Sequence, residues 1–409
     1  MREKTSRASG EDGTHTSPPA VASNAPVILS NEPGSFAWSV LAKRHPALIQ
    51  QVRDAFPYGP RQHEALDVLL DEITNGVVEP LPPAEHDHER WAVSGEEHVG
   101  CSWYDAPFLW AESYFYRRLL GAVGYFGTGP WQGVDPFAPF KKAELRGETV
   151  EEELSALDAL ANVPAQERAT ALLHASLWGN RADLGFRVTA AEPEAGDATA
   201  PALVADDSDL LWRLLPVGAG STVAVVADNA GRELLPDLIL IDHLLEERHA
   251  EQVVLHVKPY PYYVSDAMTS DVVDCLRRLT HAPGEAGRVG GRLWQAMATG
   301  RLDVRTHSFY CAPQPYEEMP EDLRKEFEAV TLTILKGDLN YRRLVGDRMW
   351  DATTPFADRT AYFPGSVATL RTLKSDVVVG LEQKTLESLE QSGTPWRTSG
   401  THALILVRR

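Results

Sequence analysis

Residues 223–266 read VAVVADNAGRELLPDLILIDHLLEERHAEQVVLHVKPYPYYVSD, and their rhythm decides the fold. A short apolar run, Val223 to Ala227, breaks abruptly into Asp228, Asn229, Ala230 and Gly231. Leu234, Leu235, Leu238, Ile239 and Leu245 then recur at helical spacing, and a second apolar run, Val253 to Val257, leads on to Asp266. A strand, a helix and a strand, with oxygen-bearing side chains after each strand, predict a parallel α/β unit whose carboxyl ends form the ligand edge. Two carboxylates and an amide meeting there, with no thiolate or imidazole, make a hard oxygen site suited to Mg²⁺ or Mn²⁺ rather than to copper or an iron-sulfur cluster.

Downstream the same alternation continues. Apolar runs at Asp303–Phe309, Leu332–Leu335, Val377–Leu381 and Leu404–Val407 predict further strands, and Asp271–Leu279, Glu321–Val330 and Leu339–Leu344 predict helices between them. Upstream the spacing is helical: two helices over Phe36–Ile73 broken near Pro57 and Pro60, with Asn75 and Gly76 closing the second in a left-handed turn. An aromatic helix face follows through Phe108, Tyr114 and Phe115, and helices are predicted over Glu144–Leu160 and Gln166–Leu177, ended by Gly179 and Asn180. On the aromatic helix Glu112, Arg117 and Arg118 read as a solvated or salt-bridged face in preference to ligand contacts. The expected fold class is α/β: a helical domain (35–188) packed on a three-layer α/β/α, Rossmann-like metal-binding domain (201–409) with a mainly parallel sheet. An Ala, Glu, Pro and Gly mixture at 189–200 reads as a linker or loop, and residues 1–34 as a disordered leader without the apolar middle of a signal peptide.

Composition narrows the partners. A formal charge of -19 disfavours a nucleic-acid backbone, which binds by releasing counterions to a basic surface. No run of about 18 apolar residues exists, which predicts no membrane span. The 3 cysteines, Cys101, Cys275 and Cys311, are widely spaced and read as reduced thiols of a cytoplasmic protein, without zinc spacing. Glycine-rich nucleotide fingerprints are absent: GTGPWQG near Gly127 and GRVGG near Gly287 do not follow predicted strands, and no P-loop, G-x-S-x-G elbow or HExxH occurs.

Three cationic stretches join the acidic strand ends. LKGDLNYRRL (335–344) places Lys336, Gly337, Asp338 and Asn340 between an apolar run and a helix, where backbone amides and a helix N-terminus favour an anion, and Arg342 adds a forked donor. TLRTLKSD (369–376) offers Arg371 and Lys374, and Lys258 directly follows the run Val253–Val257. Taken singly each has a plainer use: Asp338 or Asn340 as a helix cap, the arginines and lysines on solvated faces, Asp228 and Asn229 as caps too. Their convergence at the strand ends of one sheet describes a pocket for a phosphoryl group.

DNAGRE (228–233), KPYPYYVSD (258–266), KGDLNYRRL (336–344) and RTLKSD (371–376) resemble, in this order, the shared motifs of the damage-control phosphatases. The resemblance is greatest to the subfamily first described as acidic-residue or protein-glutamate O-methyltransferases. ESYFYRR, LWGNRADL and GTPWRTSGTHALILV extend it from about residue 102 to the end. It implies a divalent-metal-dependent phosphatase (Mn, Ni, Co or Mg) acting on small phosphorylated metabolites, of the fructose 1-phosphate or fructose 6-phosphate type. Carried over by position, Asp228, Asn229 and Asp266 are the implied metal ligands. Glu233, Lys336, Gly337, Asp338, Leu339, Asn340, Tyr341, Arg342, Arg371 and Lys374 are the implied substrate contacts, and Asp228, Asn229, Asp266 and Lys374 the catalytic set. The attacking group is left open between a water and an aspartate. The rival enzyme class is an S-adenosylmethionine-dependent carboxyl methyltransferase, disfavoured because VVADNAGRE has a single glycine where such a turn commonly has several. A third reading is a non-catalytic sugar-phosphate sensor.

Overall fold

The computed structural model describes residues 25–179 and 202–409. The expectations for residues 1–24, for Asn180 and for the 189–200 loop fall outside them. Seven strands form one sheet in the order β1-β7-β6-β5-β2-β3-β4: β1 Ala202–Asp206, β2 Thr222–Val226, β3 Gln252–Val257, β4 Leu302–Thr306, β5 Leu332–Lys336, β6 Val367–Thr372 and β7 His402–Arg408. Neighbours pair in parallel except β6 with β7.

The chain leaves β2 towards β3 and β4 on one side and returns to β5 on the other, so the strand order reverses between β2 and β5. Crossovers diverge there and open a crevice at the carboxyl ends of the strands. Both faces of the sheet are covered, as parallel strands require. Ala224, Val226 and Leu335 pack with the Phe108–Val123 helix and the Pro60–Asn75 helix in one apolar cluster. Val223, Val225 and Leu255 face the opposite cluster, built from helices Glu148–Leu160, Ala165–Trp178, Leu234–Glu246, Thr269–Thr280 and Gly284–Thr299.

Four expectations need correcting. Residues 25–34, read as the end of a disordered leader, are held on the fold: the Phe108 amide donates to the Ile28 carbonyl at 2.8 Å and the Ser30 amide to the Tyr104 carbonyl at 3.1 Å, with Ile28 and Ser30 buried. Val377–Leu381 is not a strand, although Val377, Val378 and Val379 are wholly buried. Its backbone groups find partners outside any strand: Arg371 donates to the Val377 carbonyl, the Tyr341 hydroxyl accepts from the Val379 amide at 2.9 Å, and the Gly380 and Leu381 amides donate to the Thr354 and Ala352 carbonyls at 2.8 and 2.9 Å. An apolar run shows burial, whereas a strand also needs a ladder partner. The strand lies earlier, at β6, so that Arg371 is within it and Lys374 follows its carboxyl end. The run predicted over Asp303–Phe309 divides into β4 and a 3₁₀ turn, Ser308–Cys311. The Pro60–Asn75 helix does end at Gly76, but with φ -101° rather than in the left-handed region.

Candidate active site

Asp228 and Asn229 leave β2 and meet the chain arriving at Asp266 through a short antiparallel bridge. The Ala230 amide donates to the Ser265 carbonyl at 2.6 Å and the Ala267 amide to the Asp228 carbonyl at 2.9 Å. These backbone bonds bring residues distant in sequence to one edge. Asn229 Nδ2 donates to Glu233 Oε2 at 3.0 Å and to Asp228 Oδ2 at 3.3 Å, while its Oδ1 accepts from Ser265 Oγ at 2.7 Å. Lys258 Nζ lies 3.4 Å from Asp266 Oδ2, and Lys374 Nζ lies 3.7 Å from Glu233 Oε1.

From the other side of the strand-order reversal comes Gly337, which follows β5 at φ +83°. A Cβ at this position would lie 1.8 Å from Asp228 Oδ2. Glycine is therefore required twice: for the left-handed backbone and for the close approach of the carboxylate.

Asp266 is buried, while Asp228, Asn229, Glu233, Gly337 and Asp338 are partly exposed and Lys374 is exposed. Burial pushes the Asp228 carboxyl well above its ordinary range, and repulsion from Asp266 and Glu233 adds to the rise against the pull of Lys374 and Lys258. Burial also raises Asp266, to about 6, although Lys258 and Lys141 oppose it. Asp266 Oδ2 accepts no hydrogen bond. Asp228, Asp266 and Glu233 face the ammonium groups of Lys258 and Lys374, and Lys141 is shared with Asp135 and Asp271, so this edge holds more acidic than basic groups, with the Lys258 ammonium as the charge partner of Asp266 Oδ2. A hard divalent cation fits that donor set of carboxylate and amide oxygens.

The other residues singled out in the sequence divide sharply. Lys336 Nζ is bound to Asp237 at 3.0 Å and to the Ser176 hydroxyl at 2.7 Å, which ties β5 to two helices. Asn340 Nδ2 donates to the Ala227 and Lys336 carbonyls, and its Oδ1 accepts from Tyr316. Tyr341 supports residues 377–379, and Leu339 packs with Leu109, Tyr262 and Cys311. Arg342 pairs with Asp347 at 2.7 Å and Glu112 at 3.2 Å, and Arg371 with Asp338 at 2.7 Å. Burial alone would raise the Asp338 carboxyl, but Arg371 and Arg342 outweigh it and hold it below its ordinary range. Of the run 336–342, only Gly337 and Asp338 reach solvent.

Lys141 gave no signal in the sequence, yet its Nζ donates to the Asp266 carbonyl at 2.9 Å and to Asp271 at 3.0 Å. Ser265 was likewise passed over. A second acidic group, Glu85, His86 and Asp87, brings its ligand atoms within 4.8 Å of one another. Arg117 fills that group: its guanidinium reaches Asp87 and Glu85, both at 2.6 Å. Glu112, Arg117 and Arg118 are all salt-bridged, one of the two uses expected of their helix face.

Residues 40–389 match the family model of the damage-control phosphatase ARMT1-like domain. The chain belongs to this family. Its members are phosphatases of the metabolite-damage type. Damage-control phosphatase ARMT1 of Mus musculus is 29% identical over 93% of this chain and 98% of its own. The proteins of the same description from Danio rerio and Homo sapiens are 28% and 27% identical, over 91% and 93% of this chain and 94% and 98% of theirs. A solved DUF89 family protein from Pyrococcus horikoshii aligns with 91% of this chain and 98% of its own, at 14% identity and a TM-score of 0.49. Among the described residues of this damage-control phosphatase, no helix is long and apolar enough to cross a membrane.

Proposed function

We propose that the chain hydrolyses phosphoric monoesters of small metabolites, sugar phosphates foremost, with a divalent cation held by Asp228, Asn229 and Asp266. The observation that carries this reading is the charge imbalance at the crevice. A phosphate dianion is repelled by Asp228, Asp266 and Glu233, and the ammonium groups beside them are already engaged, Lys258 with Asp266, Lys374 with Glu233 and Lys141 with Asp135 and Asp271, so that further positive charge is needed. When bound, a divalent ion supplies that charge and polarises a phosphoryl oxygen. Mg²⁺, Mn²⁺, Co²⁺ and Ni²⁺ all fit the proposed oxygen set.

The chain's own residues do the rest. Lys374, the exposed cation of the edge, contacts the phosphate. The backbone at Gly337 and Asp338, at the N-terminus of the Gly337–Val345 helix, lets amides approach it without side-chain obstruction. Glu233 and Ser265 are partly exposed hydrogen-bonding groups beside Asn229 and suit a hydroxyl-bearing leaving group such as fructose. Lys336, Asn340, Tyr341, Arg342 and Arg371 keep these parts in place from behind. The carboxyl methyltransferase reading has no comparable support, because the reversal crevice is acidic and carries no glycine-rich turn after β2.

The test is phosphate release from p-nitrophenyl phosphate and a sugar-phosphate panel, with EDTA and with each metal, beside a methyl-transfer assay. Asp228→Ala and Asp266→Ala are expected to lose turnover and metal binding while circular dichroism stays unchanged. Full turnover in either variant, or methyl transfer without phosphate release, refutes the reading.

A further inference from the structure

Glu112 lies on the Phe108–Val123 helix, outside the proposed ligand set, and is 4% exposed. Its Oε2 accepts two hydrogen bonds, one from the Tyr263 hydroxyl and one from Arg342 Nη1, each at 3.2 Å. The two donors belong to the two segments that build the crevice. Tyr263 stands three residues before Asp266, and Arg342 is on the helix whose first residue, Gly337, abuts Asp228. We propose that Glu112 is a positioning residue, a carboxylate clamp that holds the Asp266 loop and the Gly337 helix in register. The proposal rests on the metal-site reading given above.

The loop needs such a clamp. It leaves at Lys258 and comes back alongside it, parallel, at Met268, closed by the Lys258 amide donating to the Ala267 carbonyl at 2.8 Å. Tyr263 adopts φ +52°, a left-handed conformation that is costly for a bulky residue and persists only where the surroundings enforce it. Three contacts enforce it: the bond to Glu112, the Ser113 hydroxyl at 3.4 Å, and stacking on the Tyr116 ring at 4.6 Å with 27° between planes. Arg342 is fixed independently by Asp347 at 2.7 and 3.1 Å and lies 4.8 Å over the Phe108 ring. Arg342 is thus the rigid anchor and Tyr263 the strained load, with Glu112 between them. Groups that orient metal ligands from behind typically change affinity or activity by about 10–100-fold when removed.

Glu112→Gln keeps the shape but weakens both bonds, and Tyr263→Phe removes one of them. The full chain is to be measured three ways: hydrogen exchange of peptides covering 258–268 in the metal-free protein, Mn²⁺ affinity by calorimetry, and kcat and KM on p-nitrophenyl phosphate. In Glu112→Gln we expect faster exchange at 258–268, about tenfold weaker Mn²⁺ binding, about tenfold lower kcat and a KM within twofold of wild type. The effects of the double variant should fall short of the sum of the two single ones, because both changes act on one connection. A lowered Tm with exchange, affinity and kcat unchanged overturns the clamp, leaving a structural role. A raised KM at unchanged kcat also overturns it, making Glu112 a substrate contact. If wild type binds no Mn²⁺, the metal reading fails by itself. The exchange arm then still decides whether Glu112 holds the loop.

Discussion

Replacing Gly337 with alanine adds one methyl group at the tightest contact of the crevice. Two costs follow. Holding an alanine at φ +83° costs about 1–2 kcal/mol, the usual penalty of the left-handed region. The methyl carbon would also sit 1.8 Å from Asp228 Oδ2, where ordinary contact begins at 3.4 Å. Either the carboxylate or the helix terminus must retreat by roughly 1.6 Å, and relieving such overpacking adds about 1–3 kcal/mol. A shift of this size at a reacting group lowers turnover by about 100-fold, more than the stability loss alone would. Gly300→Ala serves as the control, because Gly300 has φ +77° with nothing within 4 Å of an added Cβ. The control pays the backbone cost without crowding anything. Steady-state phosphate release, Mn²⁺ calorimetry and urea denaturation of the two variants separate strain from displacement. Gly337→Ala with kcat and Mn²⁺ affinity within threefold of wild type would refute the reasoning, since Asp228 would then not depend on that approach.

Two further outcomes test the division between architecture and chemistry. Lys336→Met leaves the buried Asp237 carboxylate without its cation and should cost about 3–5 kcal/mol in urea denaturation, with Mn²⁺ affinity unchanged in the folded protein. A stable Lys336→Met protein that binds metal but no longer releases phosphate would return Lys336 to the site. Burial pushes the His256 imidazole down to about 3, with Arg305 adding to the fall, so the folded state holds it neutral despite Glu326 at 3.6 Å. The unfolded chain binds that proton near pH 6.5, so stability is fully present above this pH and is lost as the pH falls towards 3. The stability of His256→Phe relative to wild type should therefore rise by about 2–3 kcal/mol between pH 7 and pH 4.5, and a difference independent of pH would contradict the buried neutral state.

Much of the sheet is legible because strands buried on both faces read as unbroken apolar runs ended by polar turns. Val223–Ala227 and Val253–Val257 obey that rule and become β2 and β3. Val377–Leu381 obeys it equally and is an irregular buried segment, because the pattern reports burial and cannot report a ladder partner. The converse failure is β6, whose Thr369 and Arg371 are wholly buried polar residues on a central strand, where a polar pattern gives no strand signal. Arg371 can be there because Asp338, Ser375 and the Val377 carbonyl occupy its guanidinium. None of those partners follows from the local pattern. The short first strand, Ala202–Asp206, pairs only with β7 from the end of the chain, so its register depends on residues two hundred positions away.

The acidic edge was readable for a related reason. Asp228, Asn229 and Asp266 stand directly after strands or at the close of a strand-linked loop, and topology alone brings such positions together. The cations were less readable, because lysine and arginine serve both uses within a few residues of each other. Lys336 and Lys374 both follow apolar runs, yet Lys336 faces Asp237 beneath the sheet edge and Lys374 faces solvent beside Glu233. Both pair with an acid remote in sequence, and what separates them is burial, Lys336 in the interior and Lys374 at the surface. Arg342, Arg371, Arg117 and Lys336 each meet such an acid in the interior, and desolvation makes those pairs costly to open for a passing anion. Lys374 pairs with Glu233 at the surface, where solvent reaches the pair. Under the proposed function, a phosphoryl group at this crevice would meet the Lys374 ammonium beside Glu233 and the backbone of Gly337, and a divalent ion on Asp228, Asn229 and Asp266 would supply the remaining positive charge.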